Sequence, residues 1–417
     1  MTKVKIHIPI VIIFCLFIYP VIFKFSSIVS YIYIYGVPVV YLLFNWRLIK
    51  RITKKQLVII ILAMLLILLG CVYPILHRTH DYSYVKITFY IFRKLIIYLF
   101  LGCILVKKYK EKASFEHFIF YYSIVHAIYV IGTIILVFVP NLKQIWFSIF
   151  MGQDRLEQMQ ASYGYTFRVG WQGFSGYRLT LHCTFCCIFL LYLYFVGGKT
   201  LRLNFKQFIV TYMLCLLGNM FYGRSGLVVS IVVSIIGIFV WNIKHIHKLL
   251  LFICVLGISL LFIYSLRDIT QFSDWYRWMS NPVINFFKYG SFKSASFNSL
   301  KQMVFMPKWE TILFGDGYFT LNGLYYMETD SGIMRNILFW GIIGMIISYG
   351  MTIYSIWDLK RKNWLLCILM LFTFAVFEYK GDVYYEFVAL LLSASFIESM
   401  RNRKYAKLTP ILSKKYV

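Results

Sequence analysis

The chain has 417 residues, of which 60% are hydrophobic, 20% aromatic and only 14% charged. A soluble domain carries about 25% charged residues, so this composition excludes an ordinary soluble enzyme and indicates a polytopic membrane protein. The formal charge is +27, but the basic residues lie in short clusters between apolar runs, as in membrane proteins, and we expect no nucleic-acid partner.

Twelve apolar runs are long enough to be membrane spans, since a helix needs about 20 apolar residues to cross the hydrocarbon core. They cover roughly residues 8–23, 28–45, 56–75, 89–106, 116–139, 179–196, 207–222, 227–241, 249–265, 333–356, 364–378 and 383–399. The first run has no A-x-A-like cleavage site, so we interpret it as a span and not as a removed signal peptide. No polar stretch is long enough to form a second core. The sequence therefore predicts one all-α integral membrane domain over residues 1–417.

The connections between these runs alternate in their content of lysine and arginine. One set contains both termini and the clusters NWRLIKRITKK, KKYKEK, GGKTLRLNFK, NIKHIHK and DLKRKN. It holds about 25 of the 43 basic residues, at roughly three times the density of the other set. By the positive-inside rule this set is cytoplasmic, and so are the N- and C-termini. Most aspartates and glutamates fall in the other set, which therefore holds most of the candidate general bases.

Two of the predicted outer loops are long, at about residues 140–178 and 266–332. The cytoplasmic connections are short apart from the C-terminal tail. A transporter that alternates access usually holds its site near the membrane midplane. Here the additional polar chain lies on one face, which favours binding or chemistry at the outer surface.

The first long loop contains the segment YGYTFRVGWQGFSGYRLTLHC, which interleaves arginines with glycines and aromatics. Arg168 and Arg178 present planar guanidinium groups that bind phosphate through paired hydrogen bonds and stay charged. His182 follows Arg178 by one helical turn and is a candidate general base. An aromatic belt at the membrane interface, with both arginines reaching towards lipid headgroups, explains the same residues.

The segment LLGNMFYGRSGLVVS places Arg224 between two apolar runs, with Gly223 and Gly226 beside it. An arginine at mid-membrane costs at least about 3 kcal/mol, so such a residue needs a partner or a purpose. We therefore expect a tight hairpin at the outer face, with Arg224 at the head of the eighth span.

The second long loop ends in ETILFGDGYFTLNGLYYMETDSGIMRNILFWGIIG. FGDG predicts a tight turn whose Asp316 faces outward, where it is a candidate for sugar binding. Asp330 lies at the entrance of the tenth span, near Arg335, and is the first candidate for the general base. Capping of this helix by Asp330 or Ser331 would explain either residue without any catalytic role.

A third polar patch is FEYKGDVYYE, between the last two predicted spans. Glu378 is a second candidate base and Lys380 a candidate cation. Asp382 and Glu386 lie in the same hairpin. A structural interpretation is equally open, in which Glu378 and Lys380 pair with each other or with Arg224.

His77 and His80 in LHRTHD have HxxH spacing with Asp81 next to them, so a metal site and an ordinary polar loop are both compatible with this segment. The sequence has no phosphate-loop motif, no dinucleotide-binding turn and no HExxH motif. We therefore expect no ATP-driven step within this chain.

The combination of about twelve spans with RVGWQGFSG, GRSG and LFGDGYF…TDSGIMRNILFWGIIG resembles the Wzy-type polysaccharide polymerases. These are the O-antigen and capsule polymerases of bacterial inner membranes, and they are related to the O-antigen ligases. The resemblance covers the general plan of the chain and is sharpest in residues 165–182, 219–230, 311–344 and 376–386. The ligases usually carry a histidine in the largest outer loop, and residues 266–332 contain none, which favours a polymerase. A regular Arg-x10-Gly repeat, described for some polymerases, is not evident.

The resemblance implies a glycosyltransferase of the bacterial inner membrane that needs no metal and no cofactor. Its substrates would be oligosaccharide repeat units linked through pyrophosphate to a polyprenyl lipid. Cations must then stabilise the departing pyrophosphate, and a base must take the proton of the acceptor hydroxyl. The candidate cations are Arg224, Arg168, Arg178 and Lys380, and the candidate bases are Asp330, Glu378 and His182. The resemblance also implies contact with membrane lipid and a partner that regulates chain length. An O-antigen ligase and a lipid-linked oligosaccharide flippase are the alternatives.

Overall fold

The computed structural model describes residues 6–49, 52–163, 167–197, 201, 203–242, 257, 264–265, 267, 270–290, 299 and 301–405. Within them, seven helical segments are long and apolar enough to cross a membrane. They are Ser27–Phe44, Lys54–Leu76, Ser83–Lys112, Phe115–Phe138, Tyr177–Phe195, Arg224–Trp241 and Gly332–Arg361. The prediction of an all-α, multi-pass membrane protein is therefore confirmed.

The helices of the described residues are numbered here in chain order. They are α1 (Ile8–Ile18), α2 (Ser27–Phe44, with a π-helical turn at Ile32–Gly36), α3 (Trp46–Ile49), α4 (Lys54–Leu76), α5 (Ser83–Tyr109), α6 (Phe115–Phe138), α7 (Pro140–Ile149), α8 (Gln153–Tyr163), α9 (Tyr177–Phe195), α10 (Phe205–Tyr222), α11 (Arg224–Asn242), α12 (Thr270–Tyr289), α13 (Trp309–Phe314), α14 (Gly332–Trp357), α15 (Trp364–Lys380) and α16 (Tyr384–Tyr405). Two antiparallel hairpins accompany them, β1 (Val169–Gly170) with β2 (Gly173–Phe174), and β3 (Thr320–Leu321) with β4 (Leu324–Tyr325).

Helices occupy eleven of the twelve predicted spans. The remaining run, 249–265, falls almost entirely outside the described residues. Seven of the eleven meet the length and hydropathy expected of a span, so the count of twelve stays a prediction. The orientation of the termini also stays a prediction.

The chain divides into two compact units. The first unit takes the described residues within 1–6, 19–30 and 119–299, and the second takes those within 7–18, 31–118 and 300–417. The first therefore contains α7 to α12 with most of α6, and the second contains α1, most of α2, α3 to α5 and α13 to α16. The prediction of a single membrane domain stays a prediction.

Small and polar residues hold α9, α10 and α11 together in the first unit. The Thr180 hydroxyl donates to Asn219 Oδ1 at 2.6 Å, and Asn219 Nδ2 donates to Ser230 Oγ at 2.8 Å. A side chain on Gly226 would overlap both Thr180 and Asn219. Close approach through glycine together with interhelical hydrogen bonds is the usual means of packing helices where the hydrophobic effect cannot drive their association.

Helix α14 in the second unit is broken at Gly341, whose φ of 64° and ψ of −160° are far from helical values. The break frees carbonyl groups in the preceding turn, and that of Leu338 accepts from the backbone N–H of Asp316 at 2.7 Å. The carbonyl of Phe339 accepts from the next N–H of the same loop at 3.1 Å. The predicted span 333–356 thus holds two helical segments instead of one.

Candidate functional site

The first unit brings three distant segments together around one indole ring. The guanidinium carbon of Arg224 lies 4.8 Å from the centroid of the Trp278 ring, and that of Arg168 lies 5.1 Å from it. Arg224 Nη1 also donates to the backbone carbonyl of Trp278 at 3.0 Å. The Phe167 ring packs against the indole, with its centroid 5.0 Å away. Two of the predicted cations therefore share one aromatic partner, to which each is attracted by the electrons of the ring face.

Local structure explains why both arginines reach this ring. Gly223 ends α10 in an extended conformation, so Arg224 becomes the first residue of α11, as predicted from the sequence. Arg168 immediately precedes β1, and Ser175 N donates to its carbonyl at 2.9 Å across the base of the hairpin. Both arginines are half-buried, which reduces the water around their charges without removing it.

Trp275, one helical turn before Trp278, anchors α12 to the end of α10. Its indole Nε1 donates to the carbonyl of Met220 at 3.1 Å, and its ring stacks on Phe221 with centroids 5.3 Å apart. The last carbonyl groups of a helix have no partner within the helix, and this indole supplies one. Trp275 is 3% exposed and so acts as a structural anchor.

The remaining predicted residues of the first unit, Arg178 and His182, lie on α9. Arg178 is exposed, whereas His182 is buried. The distance between His182 Nδ1 and the Tyr122 hydroxyl oxygen is 2.5 Å, which is a hydrogen bond. The imidazole of His126 lies nearby, with ring centroids 5.5 Å apart. His182 therefore faces the interior of the unit, while Arg178 one turn earlier faces outwards.

In the second unit, Asp330 lies two residues before α14 and is exposed. Partial loss of water around its carboxyl raises the pKa of Asp330 above its usual value, and the charges of Arg335 and Lys380 offset only part of this rise. The residue at the N-cap is Ser331, but its hydroxyl makes no capping hydrogen bond, so the capping interpretation of Ser331 is wrong.

Arg335 is the fourth residue of α14 and its side chain is buried. Its guanidinium carbon lies 4.1 Å from the Phe319 ring and 3.9 Å from the Tyr325 ring, while those two centroids are 5.9 Å apart. The rings therefore flank two adjacent sides of the guanidinium. Among the described residues, Nε of Arg335 has no hydrogen-bond partner. The β3–β4 hairpin thus fixes this cation beside Asp330.

Glu378 is 2% exposed and belongs to a buried polar network. Its carboxylate accepts from Tyr349 Oη at 3.0 Å, from Asn336 Nδ2 at 3.3 Å and from the backbone N–H of Val383 at 2.9 Å. Asn336 Oδ1 accepts in turn from the Tyr84 hydroxyl at 2.7 Å. These bonds tie α5, α14 and α15 to the start of α16. Glu378 is therefore held by hydrogen bonds from these groups.

Asp316 lies in the predicted tight turn, between Gly315 and Gly317, which both have positive φ. The turn is half-buried, and Oδ1 of Asp316 accepts from the Thr311 hydroxyl at 2.7 Å. The hydroxyl of Tyr326 also hydrogen-bonds this carboxylate. The side chain is therefore held by its own loop instead of projecting freely outward.

Asp81, from the HxxH segment, fixes the other end of that loop. Its Oδ2 accepts from the backbone N–H groups of Phe319 (2.7 Å) and Thr320 (2.6 Å), and its Oδ1 accepts from Ser83 N at 2.9 Å. Burial alone would raise the pKa of Asp81, but these hydrogen bonds to the charged form lower it overall. The loop-forming interpretation of LHRTHD accounts for this carboxylate.

Charged side chains also lie within the helices of the second unit. Arg93 and Lys94 are about ten residues into α5, or roughly 15 Å from its start at 1.5 Å per residue. Asp382 lies two residues before α16 and Glu386 is the third residue of that helix, and they are 5% and 1% exposed. Arg93 and Lys94 therefore lie within α5 and not at one of its ends.

The predicted site residues fall into two groups. The first unit holds Arg168, Arg178, His182 and Arg224, and the second holds Asp316, Asp330, Glu378 and Lys380. Sequence reasoning missed Trp278, Asn336 and the burial of Arg335. Arg335 lies in the same sequence segment as Asp330, five residues further on. An arginine so close to a candidate base could therefore have been proposed as part of the site from the sequence. No local signal pointed to Trp278, because its contacts join segments more than fifty residues apart.

This geometry defines a multi-pass membrane protein with arginine-rich polar clusters. No protein-family model matches the chain, no curated protein matches it, and no solved structure matches it.

Proposed function

We propose that the protein is a Wzy-type polymerase of O-antigen or capsular polysaccharide. It acts on oligosaccharide repeat units linked through pyrophosphate to a polyprenyl lipid, in the bacterial inner membrane. An acceptor hydroxyl at the non-reducing end of one unit attacks the anomeric carbon of the growing chain. The bond from that carbon to the pyrophosphate oxygen breaks, a base takes the hydroxyl proton, and the lipid pyrophosphate leaves. Because the donor is already activated, the reaction needs no ATP. The arginines take the place of the divalent metal that many glycosyl transfers use, so the proposal includes no metal and no cofactor.

The observation that carries the proposal is the sharing of Trp278 by Arg168 and Arg224. A departing pyrophosphate gains negative charge in the transition state, and fixed cations stabilise that charge more than they stabilise the ground state. Arg224 begins a membrane-spanning helix, where the headgroup of a lipid substrate would lie. Arg178, which is exposed on α9, is the third candidate cation of the first unit.

The alternating charge of the connections supports twelve spans with both termini in the cytoplasm, which puts Arg224 and Asp330 at the outer face. Among the candidate bases, Asp330 is exposed, whereas Glu378 and His182 are buried in hydrogen-bonded networks. We therefore assign the base to Asp330 and give Glu378 a supporting part. A regulator of chain length is the expected protein partner.

The test is a gel ladder of surface polysaccharide from a strain that lacks the protein, complemented with variants expressed at equal levels. Wild-type protein should restore the long ladder, and Arg224→Ala should leave a band of single repeats. Arg277→Ala is the matched control, because Arg277 is an exposed arginine of α12 next to Trp278. Retained long chains with Arg224→Ala would overturn the assignment of Arg224. Long chains that stay on the carrier lipid in the deletion strain would indicate a ligase.

A lipid-linked oligosaccharide flippase is a second candidate, favoured by one observation. Arg93 and Lys94 lie deep within the span Ser83–Lys112, and charges inside spans mark translocation pathways. The same strain distinguishes the two activities. Loss of every band, with lipid-linked units retained on the cytoplasmic side, would indicate the flippase, whereas units accessible from outside without a ladder would indicate the polymerase.

A further inference from the structure

Trp278 lies at the junction of the arginine cluster, although it carries no charge and takes no part in the proposed chemistry. Its ring is the common neighbour of Arg168 and Arg224, which come from different connections of the first unit. The two guanidinium carbons therefore lie no farther apart than the sum of their distances to the indole, about 10 Å. Two arginines within this limit are close enough for each to donate to one phosphate of a diphosphate group.

Like charges so close together repel each other, and a flexible arginine loses rotational freedom when it is fixed. Attraction between each guanidinium and the indole face opposes both effects. The hydrogen bond from Arg224 to the backbone carbonyl of Trp278 adds a directional constraint to one of them. The ring therefore fixes two cations that would otherwise separate.

We propose that Trp278 is a positioning residue, which holds Arg168 and Arg224 as a pair that binds the pyrophosphate of the lipid-linked substrate. The inference rests on the proposed function for the identity of the ligand. The pairing of the arginines by the indole stands on the geometry alone. The anchor residue Trp275 holds α12 against the end of α10, and so helps to keep the ring of Trp278 within reach of the two arginines.

The structure offers variants that isolate the ring. Because Arg224 donates to the main-chain carbonyl of residue 278, that hydrogen bond survives any substitution of the side chain. Trp278→Ala removes both ring contacts, and Trp278→Phe keeps an aromatic face. Trp275→Phe is the comparison variant, since it keeps the stack on Phe221 but loses the hydrogen bond to the end of α10.

The experiment measures the binding of inorganic pyrophosphate to the full chain in lipid nanodiscs by calorimetry, with the melting temperature of each variant recorded alongside. We expect Trp278→Ala to weaken binding by about tenfold, since one or two cation–π contacts of about 1 kcal/mol are lost. Trp278→Phe should restore affinity to within about threefold of wild type. Trp275→Phe should lower the melting temperature and weaken binding less than Trp278→Ala does, because the indole of Trp278 is still present.

Wild-type affinity in a folded Trp278→Ala protein would overturn the inference, and so would wild-type protein that does not bind pyrophosphate. Equal loss in Trp278→Ala, Trp278→Phe and Trp275→Phe would show a structural role and would also overturn it. Failure of the proposed function is a separate result. A deletion strain with a normal ladder would refute polymerisation, while Trp278-dependent binding of pyrophosphate would still support the arginine pair.

Discussion

Replacing Asn336 with alanine tests whether the buried network of the second unit holds its helices together. Asn336 is fully buried, and its Oδ1 accepts from the Tyr84 hydroxyl at 2.7 Å and from Trp340 Nε1 at 3.2 Å. Its Nδ2 donates to Glu378 at 3.3 Å and to a carbonyl of its own helix at 2.8 Å. The substitution therefore removes a partner from three buried side chains at once.

The expected cost follows from these three losses. Interhelical hydrogen bonds in membranes contribute about 0.6 kcal/mol on average and up to about 1.7. A buried group left without any partner costs about 1–3 kcal/mol. Glu378 keeps its other donors, so the loss of its bond to Asn336 belongs to the lower range. The indole N–H of Trp340 has no second acceptor among the described residues. We expect Asn336→Ala to lower the free energy of unfolding by about 3 kcal/mol.

The assay is reversible unfolding of the purified protein in mixed micelles, monitored by tryptophan fluorescence and circular dichroism. Ser348→Ala is the control, because Ser348 is buried on the same helix but bonds only to a carbonyl one turn away. Its loss should cost less than about 0.5 kcal/mol. An Asn336→Ala protein no less stable than Ser348→Ala would refute the view that this network couples the helices.

Three further changes test other parts of the second unit. Lys380→Gln should raise the pKa of Asp330 further, because a cation that lowers this pKa is lost. The acidic limb of the pH–rate profile should then move to higher pH. Asp330→Asn should abolish that limb. Asp81 has a lowered folded-state pKa, so the stability that it contributes is present above about pH 4 and is lost as the pH falls below that value. Between pH 5 and pH 3, the melting temperature should therefore fall more in wild type than in Asp81→Asn, and equal falls would contradict this. Gly341→Ala should destabilise by at least about 2 kcal/mol, through its positive φ and overlap with a carbonyl 2.5 Å away, whereas Gly350→Ala on the same helix, with open space around it, should not destabilise.

The sequence was informative wherever one segment decides the structure. Apolar length located the helices, and the cost of an arginine at mid-membrane correctly predicted that Arg224 would begin a helix. The pattern could not reveal contacts between distant segments, which is why Trp278 and Asn336 were missed. It also could not distinguish a glycine that packs within a helix from Gly341, which breaks one, since that difference depends on the loop that packs against it. Ser331 shows the converse error, because a residue of the right type at the N-cap position forms no cap.

The break at Gly341 divides the long column of peptide dipoles in α14 into two shorter ones. The negative end of the first column is met by the backbone N–H groups of Asp316 and Gly317, so its partial charge is neutralised by main chain and not by a cation. The second column begins again at Ile342 and carries a positive partial charge of its own, away from either end of the 26-residue helix. Where little water is present, such a fixed partial charge is poorly screened. The segment from Gly332 to the break, which carries Arg335 and Asn336, therefore acts electrostatically as a short helix of its own. The positive partial charge at its N-terminus adds to the charge of Arg335 and does not depend on the longer segment after Gly341.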